Sequence, residues 1–208
     1  MKLLLFLLLF VGLSTLSCEK GAGNFVLKGK VTDITFATGF EGAEIKLYKV
    51  PIGTTSELLV ESKTLGADGR YNFSFPREKI EKYVIRVSKP NYFPIEETIF
   101  YSSLSIAEDN VRDFSTGAKS WVKLRIINNG PVSTDHLRYI KQAGLQGCTE
   151  CCPNSEQNYY GALDTSIYCI NDGNSIYSIY YWIIGTNMQG LKEVTTIPFD
   201  TTQILLTY

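Results

Sequence analysis

The chain has 208 residues, 44% of them hydrophobic and 20% charged, and carries a net charge of −1 at pH 7. That balance requires a folded core and excludes a charge-rich disordered chain. No basic block or stripe occurs, so nucleic acid is not an expected partner.

The chain opens MKLLLFLLLFVGLSTLSCEK. Lys2 is basic, Leu3 to Val11 is an unbroken apolar run, and Gly12 to Ser17 is small, polar or leucine. A membrane span needs about 20 apolar residues, so this run is too short to cross; it has the layout of a secretory signal peptide. Thr15-Leu16-Ser17-Cys18 resembles the lipobox of bacterial lipoproteins, in the looser form of Bacteroidetes-type bacteria. The resemblance implies cleavage before Cys18 and a diacylglycerol on its thiol. Residues 1–17 are then signal peptide and 18–24 a lipidated tether, with the protein held at the cell outer membrane or its periplasmic face. Two or more acyl chains anchor stably, at about 0.8 kcal/mol per buried CH₂.

The remainder reads as all-β, two β-sandwich domains in series: short β-branched and aromatic runs with Gly and Pro punctuation, and no sustained helical period. In the first domain, 25–117, EGAEIKLYKV puts Ala43, Ile45 and Leu47 on one face and Glu44, Lys46 and Tyr48 on the other. Asp68-Gly69 signals a turn, followed by Tyr71, Phe73 and Phe75 on one face. KYVIRVSK aligns Tyr83, Ile85 and Val87, and PIEETIFY reads as an edge strand guarded by its glutamates. GKVTD, GFEGAEIKLYK, TLGADGRYNFSF and YVIRVSKPNYFP together resemble a carboxypeptidase-regulatory-like domain. The resemblance implies a transthyretin-like Greek-key sandwich of about seven strands, with no catalytic residue. Asp33, Glu41, Asp68, Glu96 and Glu97 offer oxygens for calcium but lack D-x-D-x-D-G spacing, so no metal is expected.

SSLSIAEDNVRDFSTGAKS reads as a polar linker into the second domain, 118–208. WVKLRIINN then buries Val122, Leu124 and Ile126. In NSIYSIYYWIIGTNM, Ile176, Ser178, Tyr180, Trp182 and Ile184 share one face, and Tyr177, Ile179, Tyr181 and Ile183 the other. Both faces are apolar or aromatic, so one must pack in the core and the second needs a cover or a ligand. The 142–162 segment and the first domain are the candidate covers. Left open, the face is an aromatic platform, and Tyr180, Trp182, Tyr159 and Tyr160 are its candidate ligand-binding residues, because such rings stack on sugars or anchor protein partners. LKEVTTIPF and TQILLTY complete the domain.

Four cysteines cluster late: Cys148, Cys151, Cys152 and Cys169. In an exported protein the default is two disulfides, either 148–152 with 151–169 or 148–151 with 152–169. Zinc would need a second half-site that is missing, and a redox C-x-x-C ordinarily opens a helix in a βαβ setting.

His136 is the single histidine, near Ser133 and Asp135, but neighbours on one strand point to opposite faces and do not form a triad. No nucleophile elbow, zinc-protease or phosphate-loop motif occurs. The reading is a non-enzymatic cell-envelope lipoprotein, without cofactor, that recognises glycan or an envelope protein. The alternatives are a purely structural subunit of an outer-membrane assembly and, last, a small hydrolase.

Overall fold

The computed structural model of the chain describes residues 23–208. Cys18, with the signal-peptide and most of the tether residues, lies outside them. The described residues are almost wholly β. In chain order the strands are β1 Asn24–Asp33, β2 Thr38–Gly39, β3 Glu44–Pro51, β4 Leu58–Thr64, β5 Arg70–Pro76, β6 Ile80–Ser88, β7 Ile95–Phe100, β8 Asn110–Val111 and β9 Phe114–Thr116. They continue as β10 Lys119–Ile127, β11 His136–Ala143, β12 Gln157–Tyr160, β13 Asp164–Asp172, β14 Ile176–Ile183, β15 Gln189–Thr195 and β16 Thr201–Thr207.

The chain is an all-β protein of two β-sandwiches, as expected. In the first, β1 is flanked by β5 and by the short β8 and β9, and the facing sheet runs β4-β3-β6-β7. In the second, the sheets run β13-β10-β16 and β12-β11-β14-β15. Apart from the two-residue β2, which pairs with the end of β1, these are one topology used twice. β1 and β10 each pair antiparallel with the fourth long strand of their sandwich and parallel with its last strand. β3 with β4 and β6 repeats as β11 with β12 and β14, and β6 with β7 repeats as β14 with β15.

Period-two alternation builds each core. Phe25, Leu27, Ile45, Leu47, Phe73, Phe75, Tyr83 and Ile85 fill the first. Val122, Leu124 and Ile126 meet Leu137, Tyr139, Tyr177, Ile179 and Ile183 in the second. The tight 66–69 turn ends on Gly69 at φ 68°, where a Cβ would stand 2.2 Å from the Val31 carbonyl oxygen. Only glycine fits there.

Two expectations are corrected. The stretch taken for a polar linker is the closing strand of the first sandwich: β8 and β9 run parallel to β1. Most of its polar residues are exposed, but two that mislead, Asn110 and Thr116, are buried and satisfied. Asn110 donates to the carbonyls of Val26 and Ser105, and the Thr116 hydroxyl donates to that of Phe93. The 142–162 segment, in turn, does not lie across the second sandwich. Its β12 joins the edge of the β11–β14 sheet and extends it.

The two sandwiches meet at a hydrogen-bonded and aromatic junction. Ala118 packs in the first core, its amide donates to the Thr35 hydroxyl and its carbonyl accepts from the Gly173 amide. The Phe199 ring stacks on Phe36 at 6.0 Å and meets Tyr92 edge-on at 5.2 Å. Tyr92 in turn donates to the buried carboxylate of Asp33 at 2.7 Å.

Candidate functional site: the outer face of the β11–β14 sheet

Register fixes which side chains share this face. Arg138 pairs with Trp182 and Ile140 with Tyr180 across β11 and β14. His136 pairs with Tyr160 and Arg138 with Asn158 across β11 and β12. On the far side Tyr180 pairs with Leu191 and Trp182 with Gln189. Paired residues project to the same side of a sheet, so these positions make one continuous patch.

The patch is held rigid from beneath by the core residues that alternate with it. Tyr177, Ile179 and Ile183 point into the sandwich and are buried. Above, Arg138 is the hub. Its guanidinium lies over the Trp182 ring at 5.0 Å, and its Nε donates to Glu156 Oε1 at 2.7 Å. The Arg138 partner holds the Glu156 carboxyl below its ordinary range. Tyr180 and Trp182 lie tilted together at 5.7 Å. At the other end the His136 and Tyr160 rings stack at 4.1 Å, and His136 Nε2 donates to Asn158 Oδ1 at 2.7 Å. Tyr160 is 66% exposed, Leu191 55%, Ile176 49% and Ile184 41%, while Tyr180 and Trp182 are half-buried. The arrangement offers ring faces, one cation and one carboxylate within a single flat sheet surface.

Three of the four proposed ligand-binding residues, Tyr160, Tyr180 and Trp182, fall on this patch. Tyr159 does not. It pairs with Leu137, stacks on Tyr139 at 6.0 Å and packs against the second core. Adjacent residues of a strand face opposite ways, and only one of the two tyrosines can reach the outer surface. Arg138 and Leu191 are patch residues the sequence did not single out, and His136 is weighed there only against a catalytic triad. Their signal is register across strands, which no single segment displays.

The first sandwich supplies an internal comparison. On the matching face its central strands carry Glu44, Lys46 and Tyr48 opposite Ser88, Arg86 and Val84. Arg86 there is gripped by two carboxylates, Glu57 and Glu96, at 2.5 and 2.6 Å. The same guanidinium lies 5.2 Å from the Tyr48 ring, and Leu59 and Phe100 are exposed on this face, so it combines ion pairs with apolar surface. The second sandwich puts Trp182 and Tyr180 on the strand equivalent to that of Arg86 and Val84.

Cysteine pairing is settled as 148–151 and 152–169. The second bridge ties the loop before β12 to β13 in the opposite sheet. Lys141 completes this corner. Its stem pairs with the core residue Ile179, a bulge follows it, and its Nζ donates to the carbonyls of Leu145, Cys151 and Cys152 at 2.8 Å each. Burial pulls the Lys141 pKa below the ordinary lysine value. Gly144, at φ 127°, lets the chain turn against Tyr177, since a Cβ there would stand 2.6 Å from the ring.

Near His136, Asp135 is engaged elsewhere, accepting from the Asn128 amide group at 2.8 Å and the Val132 backbone at 2.9 Å. These contacts hold its pKa below the usual aspartate value, the Asn128 bond foremost. The candidate calcium ligands are dispersed. Asp33 is bound by Tyr92 and two backbone amides, Asp68 caps Arg70, and Glu96 pairs with Arg86. Among the described residues no three His, Cys, Asp or Glu side chains stand together as metal ligands.

No family model matches the chain, and no curated protein does. Among solved structures it is similar to GBS52, the minor pilin of Streptococcus agalactiae, at 12% identity and TM-score 0.35 over 88% of this chain and 94% of that one. It is similar also to the shaft pilin SpaA of Lactobacillus rhamnosus GG, at 11% identity and TM-score 0.35 over 89% and 97% of the two chains. Likenesses of this degree carry no argument about function, and the fold stands on the chain's own strand pairing.

Proposed function

We propose that the chain is a non-enzymatic binding module of the cell envelope, and that the outer face of the β11–β14 sheet is its binding surface. Residues 25–117 form the domain nearer the anchor and present the second domain, 118–208, outward. The observation that carries this reading is the contrast between the two matching faces. Both centre on an ion-paired arginine; the first sets Arg86 between two carboxylates beside Tyr48, whereas the second sets Arg138 among paired rings, Tyr180 with Trp182 and His136 with Tyr160. Ring faces beside a cation and hydrogen-bonding groups suit a glycan, with pyranose faces on Trp182 and Tyr180 and hydroxyls on Arg138, Glu156 and Asn158. Two disulfides support residence outside the cytosol. The leader ending in Thr15-Leu16-Ser17-Cys18 supports lipid anchoring at Cys18 and attachment to a membrane. Screening the protein and its Trp182→Ala variant on an array of envelope glycans tests the reading: binding by the parent alone supports it, and equal binding by both overturns it.

A second reading, a structural subunit of an envelope assembly, is favoured by the Phe36–Phe199–Tyr92 junction, which suits a stiff spacer. Co-purification with a membrane complex, without glycan binding, would select it.

A further inference from the structure

The two disulfides differ in every property that governs exchange. Cys148–Cys151 spans three positions, whereas Cys152–Cys169 spans seventeen and joins the two sheets of the sandwich. Cross-linking restricts the unfolded chain more as the closed loop lengthens, so the short bridge contributes less to stability. Access differs as well. Cys148 is exposed, whereas Cys151 and Cys169 are each 1% exposed and Cys152 is half-buried. An incoming thiolate must reach a sulfur from solvent, and Cys148 is the exposed residue of the four.

The loop that carries the short bridge is also held by contacts that do not depend on it. The Lys141 ammonium, its three protons all donated to carbonyls, is held against the backbone of Cys151 and Cys152. The same three hydrogen bonds and the 152–169 bridge hold the loop in place when the 148–151 bond opens.

We infer that Cys148–Cys151 is a thiol-exchange site, attacked at Cys148 with Cys151 as leaving group, while Cys152–Cys169 is a static staple. In the first step the incoming thiolate bonds to Cys148 Sγ, the 148–151 bond breaks, and its electron pair leaves on Cys151 Sγ, which then takes a proton from water. A dithiol reagent completes a second step: its other thiolate attacks its own sulfur in the mixed disulfide and releases Cys148 as a thiolate. The dithiol is oxidised by two electrons and the cysteine pair is reduced by two. A monothiol leaves its adduct on Cys148. This site is independent of the aromatic face and of its ligand.

The full chain is equilibrated in graded dithiothreitol, free thiols are blocked with an alkylating reagent, and peptides are mapped by mass spectrometry. Cys148 and Cys151 are expected to react at about a tenfold lower reductant concentration than Cys152 and Cys169, with the near-ultraviolet dichroism unchanged. Oxidised glutathione is then offered to the Cys151→Ser and Cys148→Ser variants. The first is expected to carry glutathione on Cys148, and the second to react at Cys151 at least about ten times more slowly. Opening of both bridges at one concentration, or of 152–169 first, overturns the inference, and the unmodified chain alone decides that point if a variant fails to fold. Equal adduct formation at Cys151 and Cys148 overturns it too.

Discussion

Arg138 and Trp182 face each other across β11 and β14, the guanidinium 5.0 Å from the indole ring and outside the packed core. A cation–π contact at such a site contributes about 0.5–1 kcal/mol. Trp182→Ala is therefore expected to lower stability by about 1 kcal/mol and leave the fold intact, whereas Tyr177→Ala on the opposite face of the same strand costs about 3–5 kcal/mol. Denaturant unfolding of the two variants checks this. Equal losses would mean that Trp182 is a core residue.

Lys141 is 6% exposed and has no carboxylate partner among the described residues, only three carbonyls. Lys141→Met keeps the stem and removes the donors, leaving those carbonyls unmatched. The expected loss is about 3 kcal/mol, with faster hydrogen exchange in the 145–152 loop. A loss below about 1 kcal/mol, within the range of ordinary surface changes, would contradict this role.

The sequence discloses the strands far better than their neighbours. Ala43, Ile45 and Leu47, or Val122, Leu124 and Ile126, announce a buried face by alternation alone, and all six are buried. Likewise Tyr180 and Trp182 are separable from Tyr177 and Ile179 by parity. What parity cannot show is partnership. Whether the outer face is covered depends on where 142–162 travels, and that is decided by β12 pairing with β11. Asn110, Thr116 and Lys141 look like solvent residues because burial of a polar group depends on distant acceptors. The shared topology of the two sandwiches is invisible for the same reason: it resides in pairing order, not in repeated residues.

Alkali is expected to unfold the protein. Burial pushes Tyr83 and Tyr177 up from 10.0 to about 12, and raises Tyr71, Tyr92 and Tyr139 as well. A phenol whose folded pKa lies above its unfolded value contributes stability fully below the unfolded pKa and loses it as pH rises. Lys141 acts oppositely, since its lowered pKa makes the unfolded chain the stronger proton binder up to 10.5. These five phenols, with Tyr208 raised likewise by burial, outweigh one amine. Stability should fall between pH 10 and about 12, with buried tyrosines ionising in one cooperative step of the phenolate absorbance. Smooth, independent ionisation of all thirteen tyrosines would contradict this.

Phe199 touches Phe36 and Tyr92 of the first sandwich. Each aromatic pair contributes about 0.5–1.5 kcal/mol, so the junction couples the two bodies by a few such increments. Thermal unfolding of the parent is expected as one transition, and of Phe199→Ala as two. One unchanged transition in the variant would show that the hydrogen bonds at Ala118 suffice.

Cys18→Ser is expected to move the protein from the membrane fraction to the soluble fraction and to remove the acyl mass from the mature N-terminus. Acyl chains supply about 0.8 kcal/mol per buried CH₂, which no other proposed contact replaces. Retention of the variant on membranes would refute the anchor.

Oxidative footprinting of the full chain with and without a bound envelope glycan locates the binding surface most directly. Protection should fall on Trp182, Tyr180 and Tyr160, with Tyr48 and Phe100 of the first sandwich unchanged. Protection on the first sandwich instead, with the Trp182 patch as reactive as before, would contradict the assignment.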